Sequence, residues 1–365
     1  MSVTTKDTLK NLGARAREAA RKLSAVSTQT KNSALLKMAE ALKEEKELIL
    51  EANAKDMQAA KEVGATGALL DRLLLNADRV NEMATSLEEI AALEDPVGKE
   101  VQKWQLENGL VIRRVRAPLG VIGVIYEARP NVTVEAAGLT LKTSNAVILR
   151  GGSQAINSNN ILVEVMQRAA ADASIPASAI QIIKETSHEI ADEFMALRDL
   201  DVLIPRGGEK LIEAVVEKAK VPVLWAAAGN CHTYIDKDGD LEKALPIVIN
   251  AKVQRPGVCN AMETLLVHKD VASKFLPKAI EELQEKGVQV RGDSKTKEIA
   301  SSVEEAAEAD YYTEFLDLIL AVKVVDSLQD AIDHIEKYGT RHSEAIITED
   351  KEAAKKFTRQ VDSAA

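Results

Sequence analysis

The sequence predicts an α/β protein with two parallel-sheet domains and a projecting β-hairpin, and three observations carry that expectation. From residue 118 onward, short runs of β-branched and aliphatic residues alternate with helical stretches, so successive strands are joined by crossovers and pair in parallel. Ahead of that alternation, residues 5–93 are rich in Ala, Leu, Lys and Glu at helical spacing, as in ALLKMAEALKEEKELILEA, which predicts three or four helices. Between the two lies WQLENGLVIRRVR, two extended runs about Asn108-Gly109, a strong signal for a hairpin with a two-residue turn. With 365 residues and 46% hydrophobic content the chain can bury a core of two or three domains.

Charge and cysteine usage narrow the class. A formal net charge of −10 argues against general nucleic-acid or anionic-membrane binding, while leaving room for a local basic pocket. The N-terminus lacks an apolar signal core and no uninterrupted hydrophobic run spans a bilayer, so a cytoplasmic location is expected, with neither nucleic acid nor membrane as a partner. Two cysteines are too few for a disulfide framework. The Cys231-His232 pair has no matching ligand spacing elsewhere, so no metal site is expected.

Taken in order, the N-terminal helices carry no catalytic motif, and runs such as Lys43-Glu44-Glu45-Lys46 read as solvated helix faces. After the hairpin, PLGVIGVIYEARPNVTVEAAGLTLKTSNAVILRGGS reads as strand, turn, helix and strand, ending in Gly151-Gly152 before another helix. A glycine turn opening a helix offers backbone N–H groups to a phosphate, and Arg150 adds a charge suited to a nucleotide's extra phosphate. There is no G-x-G-x-x-G fingerprint, so a plain tight turn stands beside that reading. The alternation continues through AIQIIKE, DVLIPRGGEKL, VPVLWAA and CHTYID. Arg206-Gly207-Gly208 repeats the arrangement of a strand, two glycines and a helix, so the two turns could flank one nucleotide at the C-terminal edge of a sheet. Beyond residue 259 follow a strand over Glu263–Val267, a long helix, VQVRGD, LDLILAVKVVDS, a helix, EAIITED and a last helix from about Lys351. Residues 293–312 are expected to form a charged surface excursion with one helix.

The stretch NAKVQRPGVCNAMETLLVH concentrates the chemistry. Gln254-Arg255-Pro256-Gly257 breaks the preceding helix, which places Cys259 in an exposed loop beside Arg255. A thiolate next to a cation is a soft nucleophile fit for covalent catalysis, although a small buried packing cysteine is the plainer alternative. A cysteine hydrolase with His268 or His232 as base, and a non-catalytic nucleotide-binding or assembly protein, are the competing classes.

The ordered series PLGVIGVIYEARPNVTVEAA, LKTSNAVILRGGS, DVLIPRGG, AGNCHTYID, QRPGVCNAMETLLVH and LDLILAVKVVDS resembles the gamma-glutamyl phosphate reductases (glutamate-5-semialdehyde dehydrogenases) of proline biosynthesis, a branch of the aldehyde dehydrogenase superfamily. The resemblance runs from about Thr5 to the end. It implies an aldehyde dehydrogenase-like fold: a cofactor-binding domain over 1–100 and 118–230, an oligomerisation hairpin over 101–117, a catalytic domain over 231–350 and a terminal helix over 351–365. It further implies Cys259 as nucleophile, with the Asn131 amide and the Cys259 N–H holding the oxyanion; a helix N-cap before VTVEAA is the alternative for Asn131. Arg150, Gly151, Gly152 and Ser153 would contact the nucleotide ribose. Arg206, Gly207 and Gly208 would lie near the pyrophosphate, and Arg255 would meet the substrate's phosphate or carboxylate. NADPH is the implied cofactor and L-glutamyl 5-phosphate the implied substrate. A second copy of the chain is the implied partner, and an association with glutamate 5-kinase is compatible with the branch. Trp225 stands where hydrolytic superfamily members carry a glutamate base, so phosphate rather than water is expected to resolve the thioester in the oxidative direction. Relatives of the branch continue past VDSAA, so the chain is expected to be truncated and its activity lowered, leaving a catalytically weak binding form or another acylating aldehyde dehydrogenase as alternatives.

Overall fold

In a computed structural model, the structure describes residues 5–65, 67–225 and 229–365, and contacts divide the chain into a unit Met1–Trp225 and a unit Ala226–Ala365. In the first, five helices precede any strand among the described residues: Thr5–Leu23, Thr28–Glu44, Lys46–Glu62, the six-residue Ala68–Leu73 and Ala77–Ala92. Their ends follow from local chemistry. Ser27 accepts from the Thr30 N–H and Asn76 from the Arg79 N–H, each satisfying a donor that the first helical turn leaves open.

Strands β1 (Glu100–Gln105) and β2 (Val111–Val115) pair antiparallel as a solvent-exposed hairpin. Its connection is longer than the two-residue turn expected. Leu106 and Leu110 close a three-residue loop through a 2.9 Å N–H···O bond, and Gly109 takes the left-handed conformation (φ 86°) that lets three residues turn without splaying the strands. The main sheet of this unit then forms from β3 (Val121–Tyr126), β4 (Ala146–Arg150), β5 (Ile180–Ile182) and β6 (Val202–Arg206), all parallel, in the order β5-β4-β3-β6. The order runs outward from β3 through β4 to β5 and then jumps back to β6 on its other side. That reversal puts a crevice at the C-terminal ends of β3 and β6, where open α/β sheets bind ligands. Helices Pro130–Lys142 and Ile156–Ala171 make the crossovers to β4 and β5. β3 is buried at every residue, as a strand covered on both faces must be. The stretch VPVLWAA is not a full strand: Val223 makes a single parallel bridge to Leu203, and Ala226–Ala228 lie outside the described residues.

The second unit is a six-stranded sheet of β7 (Cys231–Ile235), β8 (Met262–His268), β9 (Gln289–Gly292), β10 (Glu304–Glu305), β11 (Ile319–Val325) and β12 (Glu344–Ile347), in the order β10-β9-β11-β8-β7-β12, with every pairing parallel. One core joins Leu265, Val267 and Leu320 to Val248 of helix Leu241–Val253 and to Leu276 and Ile280 of helix Lys269–Glu285. A second core joins Tyr234, Leu266 and Val325 to Ile332 and Ile335 of helix Leu328–Tyr338 and to Phe357 of helix Lys351–Gln360. Alternate residues along β7 and β8 thus feed two different cores. Residues 293–312 are more than an excursion with one helix: they hold the short helices Ser294–Ile299 and Glu308–Tyr311, and Glu304–Glu305 between them extends the sheet beside β9. No helix among the described residues is long and apolar enough to cross a membrane, and the described residues hold no cluster of side chains suited to a metal ion.

Candidate active site

Cys259 lies in the loop between the end of helix Leu241–Val253 and the start of β8, at the N-terminal edge of the second sheet. The loop turns because Pro256 cannot continue the helix ladder. It is closed by Val258 N–H···O=C Arg255 (3.3 Å) and Ala261 N–H···O=C Val258 (3.1 Å). Cys259 is half-buried rather than exposed, and Arg255 of the same turn is exposed.

The neighbouring strand end accounts for the burial. Gly229 approaches the Cys259 carbonyl so closely that a Cβ there would fall 1.5 Å from the oxygen, which no side-chain-bearing residue tolerates. The Cys231 Sγ–H donates to that same oxygen at 3.2 Å. Gly229 is itself held, its N–H donating to Glu314 Oε1 (2.8 Å), and the next residue, Asn230, donates its N–H to Thr340 Oγ1 (3.0 Å). Burial, with the Glu344 carboxylate nearby, pushes the Cys231 thiol up to about 12. The two cysteines are therefore differentiated: Cys231 is a buried hydrogen-bond donor, and Cys259 is the thiol carried by the loop.

Neither histidine of the hydrolase alternative serves Cys259. His268 ends β8, a full seven-residue strand away, and its Nδ1 accepts from the Asp270 N–H to cap the next helix. His232 follows Cys231 on the strand and so faces the opposite side of the sheet, where its Nδ1 lies 3.0 Å from Glu344 Oε2 and its ring meets His334 edge-on at 5.5 Å. Burial drives His334 down to about 2, so it is neutral.

In the first unit, Asn131 is the second residue of helix Pro130–Lys142, after Pro130 at the first position. Arg129, not Asn131, occupies the N-cap position, so the cap alternative for Asn131 falls. Its half-buried side chain donates from Nδ2 to Glu135 Oε1 at 2.9 Å.

Both Arg-Gly-Gly turns lie at the C-terminal edge of the sheet, on either side of β3, because β4 and β6 are its two neighbours. Packing is tight at three of the four glycines: a Cβ on Gly151 would meet the Asn159 amide at 2.1 Å, one on Gly152 would meet the end of the Gln154 side chain at 2.8 Å, and one on Gly207 would meet Leu211 at 2.7 Å and the Glu127 carboxyl at 2.8 Å, whereas one on Gly208 would make only an ordinary contact at 3.9 Å. At the first helix N-terminus a buried carboxylate takes two of the donors that a phosphate could use. Asp56, from helix Lys46–Glu62, accepts from the Asn157 and Ser158 N–H groups (3.2 and 2.8 Å), so those donors are taken. At the second turn, Glu127 at the end of β3 accepts from the Gly208 N–H at 3.0 Å. The two turns also present side chains: Arg206 and Ser153 are exposed, and Arg150 is half-buried. One Arg150 nitrogen donates to the Thr186 carbonyl at 2.9 Å, while its buried Nε has no protein partner. Sequence reasoning passed over Gly229, Glu127, Asp56 and Glu314. Gly229, inside the quoted AGNCHTYID, and Glu127, inside PLGVIGVIYEARPNVTVEAA, lay in stretches already tied to function; Asp56 and Glu314 did not.

Comparison with known proteins bears on this arrangement. The model of the aldehyde dehydrogenase family matches residues 1–316. The chain is 59% identical to a gamma-glutamyl phosphate reductase of Moorella thermoacetica over 97% of its own length and 85% of the relative's, and 51% identical to one of Clostridium acetobutylicum over 99% and 86%. Among solved structures, the gamma-glutamyl phosphate reductase of Thermotoga maritima superposes with a TM-score of 0.92 at 48% identity, covering 98% of this chain and 86% of that one. An acetylating aldehyde dehydrogenase of Geobacillus thermoglucosidasius, at 18% identity and a TM-score of 0.70 over 98% and 85% of the two chains, shares the fold.

Proposed function

The chain belongs to the gamma-glutamyl phosphate reductases within the aldehyde dehydrogenase family, and from that membership we propose that it reduces L-glutamyl 5-phosphate to L-glutamate 5-semialdehyde and phosphate with NADPH. The observation that carries the reading within the chain is the loop of Cys259, a half-buried residue whose own carbonyl is pinned by Gly229 and Cys231. A nucleophile must be held within a fraction of an ångström of its line of attack, and a peptide locked on one side leaves its side chain little freedom.

The Cys259 sulfur attacks the acyl carbon, forming the C–S bond while the C–O bond to phosphate breaks and phosphate departs with that electron pair. The Cys259 N–H and the Asn131 amide are the donors assigned to the oxyanion, a role worth roughly 10²–10³ in rate. NADPH, when bound, supplies the hydride that reduces the thioester carbon. The sulfur then takes back the C–S electron pair as the aldehyde leaves. Arg150, Ser153 and Arg206 are the residues assigned to the nucleotide. The fit is supported by the crevice beside β3 and by the Arg150 Nε, a buried donor with a bond to give. Phosphate at that edge would meet these side chains and the turn amides rather than the Asn157, Ser158 and Gly208 N–H groups, which Asp56 and Glu127 hold. Arg255 is assigned to the phosphate or carboxylate of the substrate. The exposed Val101, Trp104, Val111 and Val115 of the hairpin support its use as a contact between copies of the chain.

The test runs the reaction backwards: NADP reduction with glutamate semialdehyde, with and without phosphate, for the parent and Cys259→Ala. Reduction is expected only with phosphate (or arsenate) and only in the parent. Turnover without phosphate, or in Cys259→Ala, would remove the reading.

A further inference from the structure

Lys252 and Glu263 form an ion pair at 2.6 Å with both side chains fully buried. Lys252 is the penultimate residue of helix Leu241–Val253 and Glu263 the second residue of β8, so the pair ties together the two stems of the loop that carries Cys259. The other Glu263 oxygen, Oε1, accepts from the Leu316 N–H at 3.1 Å. Leu316 has a left-handed backbone (φ 54°), a conformation unfavourable for a branched aliphatic residue unless neighbours impose it. Two residues earlier, Glu314 accepts the Gly229 N–H, and Gly229 in turn presses on the Cys259 carbonyl. The contacts close a circuit: Lys252, Glu263, Leu316, Glu314, Gly229 and back to Cys259.

A buried ion pair is a weak way to gain stability, because removing two charges from water costs about as much as their attraction returns. Apolar residues of similar size often hold a core as well or better. What apolar residues lack is direction. A carboxylate with one oxygen on an ammonium and the other on a backbone N–H fixes three chain segments at set distances. We propose that Lys252 and Glu263 are positioning residues for Cys259, setting the path of its loop and of the Glu314 segment that buttresses Gly229. The proposal rests on Cys259 being the nucleophile of the proposed function.

The experiment compares the parent, Lys252→Met/Glu263→Met, Glu263→Gln and Cys259→Ala. It measures thermal midpoint, kcat, KM and the rate at which iodoacetamide alkylates Cys259. The double variant is expected to keep a midpoint near the parent's while kcat falls about tenfold or more at little changed KM and the alkylation rate of Cys259 shifts at least threefold. A double variant with parental midpoint, kcat and alkylation rate overturns the proposal, since the pair would then be replaceable packing. Should the double variant fail to fold, Glu263→Gln decides: it keeps the shape and the acceptor for Leu316 but loses the charge. A folded Glu263→Gln with parental kcat and alkylation overturns the proposal, and a fall of about fivefold or more in kcat together with altered alkylation supports it. The alkylation readout needs no substrate, so failure of the proposed reaction and failure of the positioning role are separable. Activity persisting in Cys259→Ala would remove the proposed function and the catalytic role of the pair with it, whereas an unchanged alkylation rate in folded pair variants overturns the positioning role even when Cys259→Ala is inactive.

Discussion

Replacing Gly229 by alanine puts the least possible extra matter where the structure allows none. The new Cβ would lie 1.5 Å from the Cys259 carbonyl oxygen, 2.4 Å from its carbon and 2.8 Å from its Cα, whereas real Cβ contacts essentially never fall under 3.0 Å. The two backbones must therefore separate by roughly 1.5 Å at that oxygen. On the Gly229 side, movement is resisted by the bonds to Glu314 and Thr340 and by β7, which follows directly. On the other side lies the loop over residues 254–261, which is the softer partner and moves with Cys259. A displacement of about 1 Å in a reacting group costs on the order of 10² in rate, equivalent to about 2.7 kcal/mol of barrier. Gly229→Ala is thus expected to lower kcat by about 100-fold, with KM rising as well to the extent that Arg255, carried by the same loop, shifts with Cys259. The Cys231 thiol should also lose its acceptor. Steady-state kinetics, iodoacetamide reactivity of Cys259 and a thermal melt on the same preparation check the prediction. A variant whose kcat and Cys259 alkylation rate both stay within threefold of the parent would refute the link between the Gly229 contact and the placement of the nucleophile.

The other expectations are briefer. Iodoacetamide at pH 8 should label Cys259 and spare Cys231, since burial pushes the Cys231 thiol up to about 12 and leaves roughly one molecule in 10⁴ as thiolate; peptide mapping that finds Cys231 labelled first would contradict the assignment. Arg150→Met should raise KM for NADPH about tenfold while changing KM for NADH much less, the loss expected for one charge-assisted bond; equal effects on both would remove Arg150 from the extra phosphate. His334 yields a pH prediction. Its ordinary value near 6.5 is driven down to about 2 by burial, so below pH 6.5 the unfolded chain binds a proton that the fold excludes. The stability this group contributes is present above pH 6.5 and lost as pH falls, by about 2 kcal/mol between pH 6.5 and 4.5. Thermal melts across that window should fall less steeply for His334→Gln than for the parent.

The sequence by itself determined whatever depends on neighbours close in the chain. The alternation of strand and helix, the caps at Ser27 and Asn76, and the end of a helix at Pro256-Gly257 ahead of Cys259 all rest on hydrogen bonds and side-chain periodicities spanning a few residues. Even the pairing of two Arg-Gly-Gly turns about one strand could be read, because parallel crossovers restrict which strands become neighbours. Tertiary structure alone decided which groups those elements would meet. The amides of helix Ile156–Ala171 look open to a phosphate until Asp56, a hundred residues earlier, folds onto them. Glu304–Glu305 resembles a solvated loop until β9 offers it an edge. Gly229, Lys252 and Glu263 carry no local signal of their relation to Cys259, since it arises from distances of closest approach between separate segments. Buried donors, acceptors and charges must be satisfied by whatever the packed chain brings within about 3 Å, and that partner is set by the whole fold rather than by position along the sequence.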